Sequence, residues 1–162
     1  MATKNELADA PAKQEVNITR IFDAPRELVF KMWTDPELVE KWWGPKDFTN
    51  PVCVLEPWVG GSMRIVMQGP DGTRYPTRGV FTKIVEPELI VFHNIKEGDD
   101  GSAELEVVNT VKFTEENGKT TMVFNATVIM STPEACKSLE GMNTGWNQSI
   151  DRLAATLDSI TQ

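Results

Sequence analysis

The sequence predicts an α+β fold in which a curved antiparallel sheet of about six to seven strands wraps around a long C-terminal helix. Three observations support this prediction: one strand followed by two short helices, a middle section of strand-like runs and turns, and a final amphipathic stripe. Strands and helices that are segregated along the chain favour α+β over alternating α/β. The long helix must bury its stripe, and the sheet offers the only large surface for it.

The length of 162 residues is most simply that of one domain. Residues 1–15 are polar and charged without periodicity, so we expect a disordered N-terminal tail. Residues 16–162 then form a single domain.

The first elements are a strand and two short helices. Residues 16–22 carry a mostly alternating apolar pattern, which predicts a strand. Residues 23–25 supply a cap and a proline for a first helix, and residues 35–36 repeat this signal for a second. Residues 44–45, Gly-Pro, end the second helix.

Two adjacent tryptophans, Trp42 and Trp43, end the second helix. Consecutive helical side chains point about 100° apart, so the two indoles cannot share one helix face. We hypothesise that one packs with Trp33 between helices and sheet while the other closes the mouth of a cavity. The alternative is that both fill the junction.

The middle of the chain is predicted to be an antiparallel meander. Turn signals at 70–72, 86–87 and 116–118 separate apolar runs, and the connections are short. Residues 79–85 carry apolar side chains on both faces, so their inward-facing members stay undetermined. A bulge there would swap the faces.

A long final helix follows, for which Ser131 or Thr132 is the predicted cap. We expect a kink, a break or a close approach of backbone to sheet at Gly141 and Gly145, whereas Asp151 and Arg152 are expected to face solvent. The apolar stripe has helical spacing; it comprises Leu139, Met142, Trp146, Ile150, Leu153, Leu157 and Ile160.

The net charge of −8 and pI of about 4.7 argue against binding to nucleic acids and to anionic membranes. No run approaches the roughly 20 apolar residues of a membrane span, and residues 1–14 lack a secretory apolar core. We therefore expect a cytoplasmic protein, with monomer as the favoured state. Cys53 and Cys136 are expected to be buried reduced thiols, with a disulfide between them as the alternative.

Several motifs together carry a family resemblance: DPELVEKWWGP at 35–45, GGSMRIVM at 60–67, RGVFTKIVEPELIVF at 78–92 and GMNTGWNQSIDRL at 141–153. In this order they resemble bacterial relatives of the activator of heat-shock-protein-90 ATPase family. That family belongs to the START and birch-pollen-allergen-like (SRPBCC) superfamily. The resemblance spans about residues 16–160 and implies the helix-grip fold, a cavity between sheet and final helix, and a link to the stress response.

The candidate walls of this cavity are apolar and aromatic residues at inward positions, including methionines, which suit adaptable pockets. A filled core is the alternative interpretation of the same residues. The candidates are Trp33, Trp43, Met63, Ile65, Met67, Tyr75, Val107, Val111, Phe113, Met122, Phe124, Met142, Trp146 and Ile150.

These observations favour a binding protein for a small hydrophobic molecule such as a lipid, a polyketide-like aromatic or an isoprenoid. A co-chaperone-like domain that acts on a heat-shock chaperone is the alternative, and a cavity cyclase or hydrolase with Tyr75 as donor is a third. We predict no catalytic residue, metal site or cofactor. His93 is the only histidine, and Arg64 is expected on the sheet face opposite Met63, solvated or paired with a carboxylate.

Overall fold

A seven-stranded antiparallel sheet and three helices make up the described part of the chain. The structure is a computed structural model, and it describes residues 15–98, 100–133 and 141–161. The elements are β1 Glu15–Phe22, α1 Arg26–Thr34, α2 Pro36–Trp42, β2 Thr49–Leu55, β3 Ser62–Gln68, β4 Arg74–Val85, β5 Leu89–Glu97, β6 Ala103–Glu116, β7 Lys119–Ser131 and α3 Met142–Thr161.

The sheet has the strand order β1-β7-β6-β5-β4-β3-β2. Strands β2 to β7 follow one another as a meander, and β1 pairs with β7 in antiparallel register. The predicted antiparallel sheet, with two short helices after its first strand and a long C-terminal helix, is confirmed. β1 begins at Glu15, the last residue of the predicted tail, and residues 1–14 lie outside the described residues.

Asp35 explains why two short helices form instead of one long helix. Its backbone N–H bonds the carbonyl of Lys31 and so closes α1. Its side chain accepts a hydrogen bond of 2.9 Å from the Glu37 N–H and so caps α2, with Pro36 in the first turn. One residue therefore ends the first helix and starts the second.

The core lies between the helices and one face of the sheet, called the inner face here. This face carries every second residue of each strand, for example Phe92, Val111 and Phe124, all at most 1% exposed. From α3 the core receives Ile150 and Leu153, both fully buried. Burying these side chains is the main source of stability, as in other domains of this size.

A bulge in β4 decides the faces of residues 79–85. The register of β4 with β5 shifts between Phe81 and Lys83. Phe81 is 1% exposed, and Ile84, an odd number of residues further along, also packs against the core. The extra residue thus turns both apolar side chains inward, which a strict alternation cannot do.

The start of the final helix differs from the prediction. Ser131, a predicted cap, pairs with Leu105 at the end of β7, and the Thr132 N–H donates to the Glu104 carbonyl at 2.9 Å. Because the backbone here pairs with β6, Ser131 ends a strand and does not cap a helix. The described part of α3 begins at Met142, and Leu139 of the predicted stripe lies outside the described residues. Ile160, the last stripe residue, is 41% exposed.

Cys53 is a free, half-buried thiol on β2, whereas Cys136 lies outside the described residues. Burial, together with the negative charge of Glu40, raises the pKa of Cys53 to about 11. The neutral thiol is therefore favoured in the folded protein. Its contribution to stability is fully present below the unfolded pKa of 9.0 and is lost as the pH rises from 9.0 to about 11.

Alkylation of Cys53 is expected to be slow in the native protein. In a Cys136→Ser background at pH 8, iodoacetamide should react about 100-fold more slowly with native than with urea-unfolded protein, because two pKa units lower the thiolate fraction by that factor. Mass spectrometry of quenched time points measures both rates. Native and unfolded rates within a factor of about three would contradict the raised pKa.

Candidate ligand-binding pocket

Trp42 closes the junction between α1 and α2. Its side chain is fully buried, and its indole Nε1–H donates a 2.8 Å hydrogen bond to the Met32 carbonyl near the end of α1. Its ring meets that of Trp33 edge to face, with centroids 4.8 Å apart. Trp42 is thus a structural residue of the core.

Trp43 faces a different environment because the helix ends at this residue. Its backbone angles, φ −65° and ψ 134°, are extended. The side chain lies against Trp146 of α3, with ring centroids 5.3 Å apart, and against Phe92 of β5, at 6.2 Å. The two adjacent tryptophans therefore divide between core and pocket wall.

A pocket of about 440 Å³ lies between the inner face of β3–β6, helix α3 and the turn after α2. Its lining is mainly apolar and aromatic, with a group of polar side chains on the sheet. The lining residues are Trp43, Gly44, Pro45, Phe48, Met67, Tyr75, Thr77, Asn94, Lys96, Leu105, Val107, Asn109, Gly141, Met142, Gly145, Trp146 and Ser149. A space of this size and polarity is typical of small-molecule sites.

The structure brings only part of the predicted cavity wall together. The predicted residues on the pocket are Trp43, Met67, Tyr75, Val107, Met142 and Trp146. The other predicted residues lie in the closed core, each at most 4% exposed: Trp33, Met63, Ile65, Val111, Phe113, Met122, Phe124 and Ile150.

Helix α1 covers the predicted residues that lie on β6 and β7. Trp33 stacks on Phe124 with centroids 5.7 Å apart, and Phe30 meets Phe113 edge to face at 5.7 Å. These side chains fill one end of the space between sheet and α3. The pocket lies at the other end, beside the turn after α2.

The polar residues of the pocket were missed by the sequence analysis. Asn94 and Lys96 follow Phe92 at two-residue intervals on β5, and Asn109 lies between Val107 and Val111 on β6. Strand alternation alone places them on the inner face. Polar residues at inward positions were therefore the available signal.

Asn109 is fully buried at the inner face. Its Nδ2 donates to the Phe92 carbonyl at 3.2 Å and to Asn94 Oδ1 at 2.9 Å. Its Oδ1 has no hydrogen-bond partner within the described ranges. An unpaired acceptor thus lies just beneath the wall of the pocket.

Arg152 holds the turn that forms one wall of the pocket. Its guanidinium donates to the carbonyls of Lys41 (3.1 Å), Trp43 (3.2 Å), Gly44 (2.9 Å) and Pro45 (2.9 Å). Burial lowers its pKa from the ordinary value, and the charge of Asp47 opposes this shift.

The prediction that Arg152 faces solvent is therefore wrong. The last carbonyls of a helix lack intrahelical donors, and here α3 supplies them from a side chain. Asp151, its neighbour, is exposed as predicted and pairs with Arg20 at 2.7 Å.

Gly44 lets this turn pass close to the sheet. Its φ of +98° is a conformation that other residues adopt only with strain. A Cβ atom here would lie 3.1 Å from the Met67 sulfur. Gly145 of α3 faces Pro45 of the turn, with 3.7 Å between a built Cβ and Pro45 Cγ, an ordinary contact distance, so the expected close approach of backbone to sheet is wrong at this glycine.

The outer face of the sheet carries the other charged candidates. Arg64 lies on the face of the sheet opposite to that of Met63, as predicted. Its Nη1 lies 3.5 Å from Glu97 Oε1, and Nε of Arg78 lies 2.9 Å from Oε2 of the same carboxylate. His93 Nδ1 lies 3.1 Å from Glu106 Oε2, and neither residue lines the pocket.

Among the described residues no group of His, Cys, Asp and Glu is arranged to hold a metal ion. No described helix combines the length and apolarity needed to cross a membrane.

Solved structures with the same architecture come from several bacteria. A protein from Arthrobacter aurescens is 28% identical, with a TM-score of 0.79 over 90% of this chain and 87% of that one. A Nitrosomonas europaea protein has the same fold at 20% identity, with a TM-score of 0.77 over 91% of this chain and 96% of that one. The AHSA1 protein from Silicibacter pomeroyi is 23% identical, with a TM-score of 0.72 over 89% of this chain and 97% of that one.

Among curated proteins, none matches the sequence. The profile of the family described as "Activator of Hsp90 ATPase homolog 1-like protein" matches residues 23–158, nearly the whole described domain. That range includes every element from α1 to β7 and most of α3, so the match and the helix-grip architecture describe the same unit. The chain belongs to the Activator of Hsp90 ATPase homolog 1-like family.

Proposed function

We propose that this protein binds a small hydrophobic molecule in the pocket between α3 and β3–β6. The observation that carries the proposal is the pocket itself, about 440 Å³ with walls from Trp43, Met67, Val107 and Trp146. Ligand sites of this kind span about 300–1,000 Å³ and combine apolar walls with a few polar groups. Family membership is consistent with a ligand-binding domain or a co-chaperone-like domain.

The walls combine stiff and adaptable side chains. Trp43 and Trp146 are held edge to face, and Trp146 also packs on Phe124 with centroids 4.4 Å apart. Flat rings of this kind pack well against aromatic or alicyclic ligands. Met67 and Met142, on opposite sides of the pocket, have flexible thioethers that adjust to ligand shape.

Methyl NMR of methionine-labelled protein tests the proposal with an internal control. On titration with naphthalene derivatives and medium-chain fatty acids, the methyl signals of Met67 and Met142 should shift saturably. Those of Met32 and Met122, fully buried away from the pocket, should stay in place. Unmoved Met67 and Met142 signals across the panel, in a well-dispersed spectrum, would contradict the proposal.

A variant that fills the pocket provides the second arm of this test. Leu105→Trp adds bulk at a half-buried pocket position and should weaken binding by at least about tenfold, or 1.4 kcal/mol. Val123→Trp, at a 43% exposed position outside the pocket, is the matched control and should bind as the parent does. Equal affinities for both variants would place the ligand elsewhere.

A co-chaperone-like role is the second candidate. It is favoured by the family description and by the exposed tip of the β2–β3 loop, where Trp58 and Val59 are 58% and 62% exposed. Adjacent exposed apolar side chains are common at protein contacts. Stimulation of the ATPase of an Hsp90-class chaperone, lost in a Trp58→Ser, Val59→Ser double variant, would support this role.

A further inference from the structure

We infer that the pocket selects an amphipathic molecule that carries a hydroxyl or N–H donor for Asn109 and an anionic group for Lys96. The inference rests on the proposed function and narrows it to a chemical class of ligand, hydroxy- or amino-substituted carboxylates on an apolar frame. Asn109 contributes an unpaired acceptor, and Lys96 contributes a positive charge.

The orientation of the Asn109 amide follows from its partners. A backbone carbonyl can only accept hydrogen bonds, so the amide edge 3.2 Å from the Phe92 oxygen must be the nitrogen. Asn94 Oδ1, at 2.9 Å, receives the second proton of the same nitrogen. The oxygen of Asn109 is therefore held at the other edge of the amide, because a flip would set it against the Phe92 carbonyl oxygen.

The free oxygen determines what a ligand must offer. Asn109 lines the pocket, but its Oδ1 is buried beneath the pocket surface and no donor within the described ranges bonds it, so a ligand donor reaches this atom when the neighbouring pocket side chains shift. Burying an acceptor without a partner is unfavourable, and a hydrocarbon placed against it would keep it unpaired. A ligand hydroxyl or N–H removes this penalty, whereas an ether or carbonyl oxygen does not. Asn109 therefore favours ligands that carry a hydrogen-bond donor over ligands that carry only an acceptor at this position.

Lys96 supplies the second requirement. It is half-buried on the same face of β5 as Asn94, and it alone is charged among the described residues that line the pocket. It forms no ion pair with a described residue, while its outer-face neighbour Glu97 pairs with Arg64 and Arg78. A cation beside apolar walls favours a ligand carboxylate, because charge-assisted hydrogen bonds are the stronger ones.

Four naphthalene compounds separate the two requirements without any mutation. They are 6-hydroxy-2-naphthoate, 2-naphthoate, 6-methoxy-2-naphthoate and 2-naphthol, compared by calorimetry on the full chain. We expect 6-hydroxy-2-naphthoate to bind at least about tenfold more tightly than each of the others. The methoxy compound tests donation in particular, since it keeps the oxygen and loses the proton.

Variants then assign each preference to its residue. In Asn109→Leu the hydroxy and unsubstituted naphthoates should bind with equal affinity, and in Lys96→Met the advantage of hydroxynaphthoate over naphthol should disappear. Lys112→Met, at an exposed position of β6, is the charge-matched control and should keep both preferences. Should Asn109→Leu fail to fold, the comparison of compounds on the parent protein still decides the question.

The outcomes distinguish this inference from the proposed function. If the four compounds bind with similar affinity and shift Met67 and Met142, the pocket binds ligands but the selectivity is overturned. If the four compounds do not bind while fatty acids do, the inferred selectivity is overturned and the proposed function stands. Binding by no compound of either panel overturns both.

Discussion

Replacing Trp42 by alanine is expected to lower the free energy of unfolding by about 3–5 kcal/mol, the range for large buried aromatic residues. The side chain is fully buried and contacts Trp33 and Trp43. Its loss leaves a cavity between α1 and α2 and removes the donor for the Met32 carbonyl. Urea denaturation followed by circular dichroism measures the change.

Two further variants divide this effect into its causes. Trp42→Phe keeps most of the packing but leaves the buried Met32 carbonyl unpaired, so about 1–3 kcal/mol should be lost. Trp58→Ala removes a tryptophan that is 58% exposed, and it should change stability by less than about 0.5 kcal/mol. Equal losses for Trp42→Ala and Trp58→Ala would show that Trp42 is not the core residue described here.

Replacing Arg152 by methionine is expected to cost about 2–3 kcal/mol, in the range for hydrogen bonds made by charged groups. Methionine keeps the aliphatic part of the side chain but leaves the carbonyls of Lys41, Trp43, Gly44 and Pro45 without this donor. The turn after α2 should loosen, so amide hydrogen exchange at Trp43 and ligand affinity should respond together.

Arg20→Met is the matched control for this effect. Arg20 pairs with Asp151, whose side chain is 66% exposed, and exposed ion pairs contribute only about 0–1 kcal/mol. Each variant removes one positive charge, from α3 itself at Arg152 and from the partner of Asp151 on β1 at Arg20. If they lose the same stability and leave Trp43 exchange unchanged, the contacts of Arg152 with the turn have no structural role.

Much of the fold could be predicted from the sequence because it depends on local rules. Alternation and turn residues identified the meander from β2 to β7, and the repeated Asp-Pro signal at Asp35 separated two helices. Local rules failed where the sheet overrode them. Ser131 has the chemistry of a helix cap, yet its backbone pairs with Leu105, and the bulge near Phe81 turned Ile84 inward.

The candidate site was only partly predictable for a related reason. Strand parity placed Met67 and Val107 on the inner face, but it placed Phe124 there as well. The same parity places Asn109 inward, yet attention to apolar residues alone passed over it. A pattern of inward positions does not say which of them another element covers.

The sequence by itself determined the order of the elements, the antiparallel sheet and the separation of Trp42 from Trp43, because periodicity and chain termination act over a few residues. Only the tertiary structure decided that α1 fills one end of the inner face, that Asn109 keeps a free oxygen and that Arg152 holds the turn at Trp43, 109 residues away in the chain. Such contacts depend on the packing of distant elements, which no local pattern encodes.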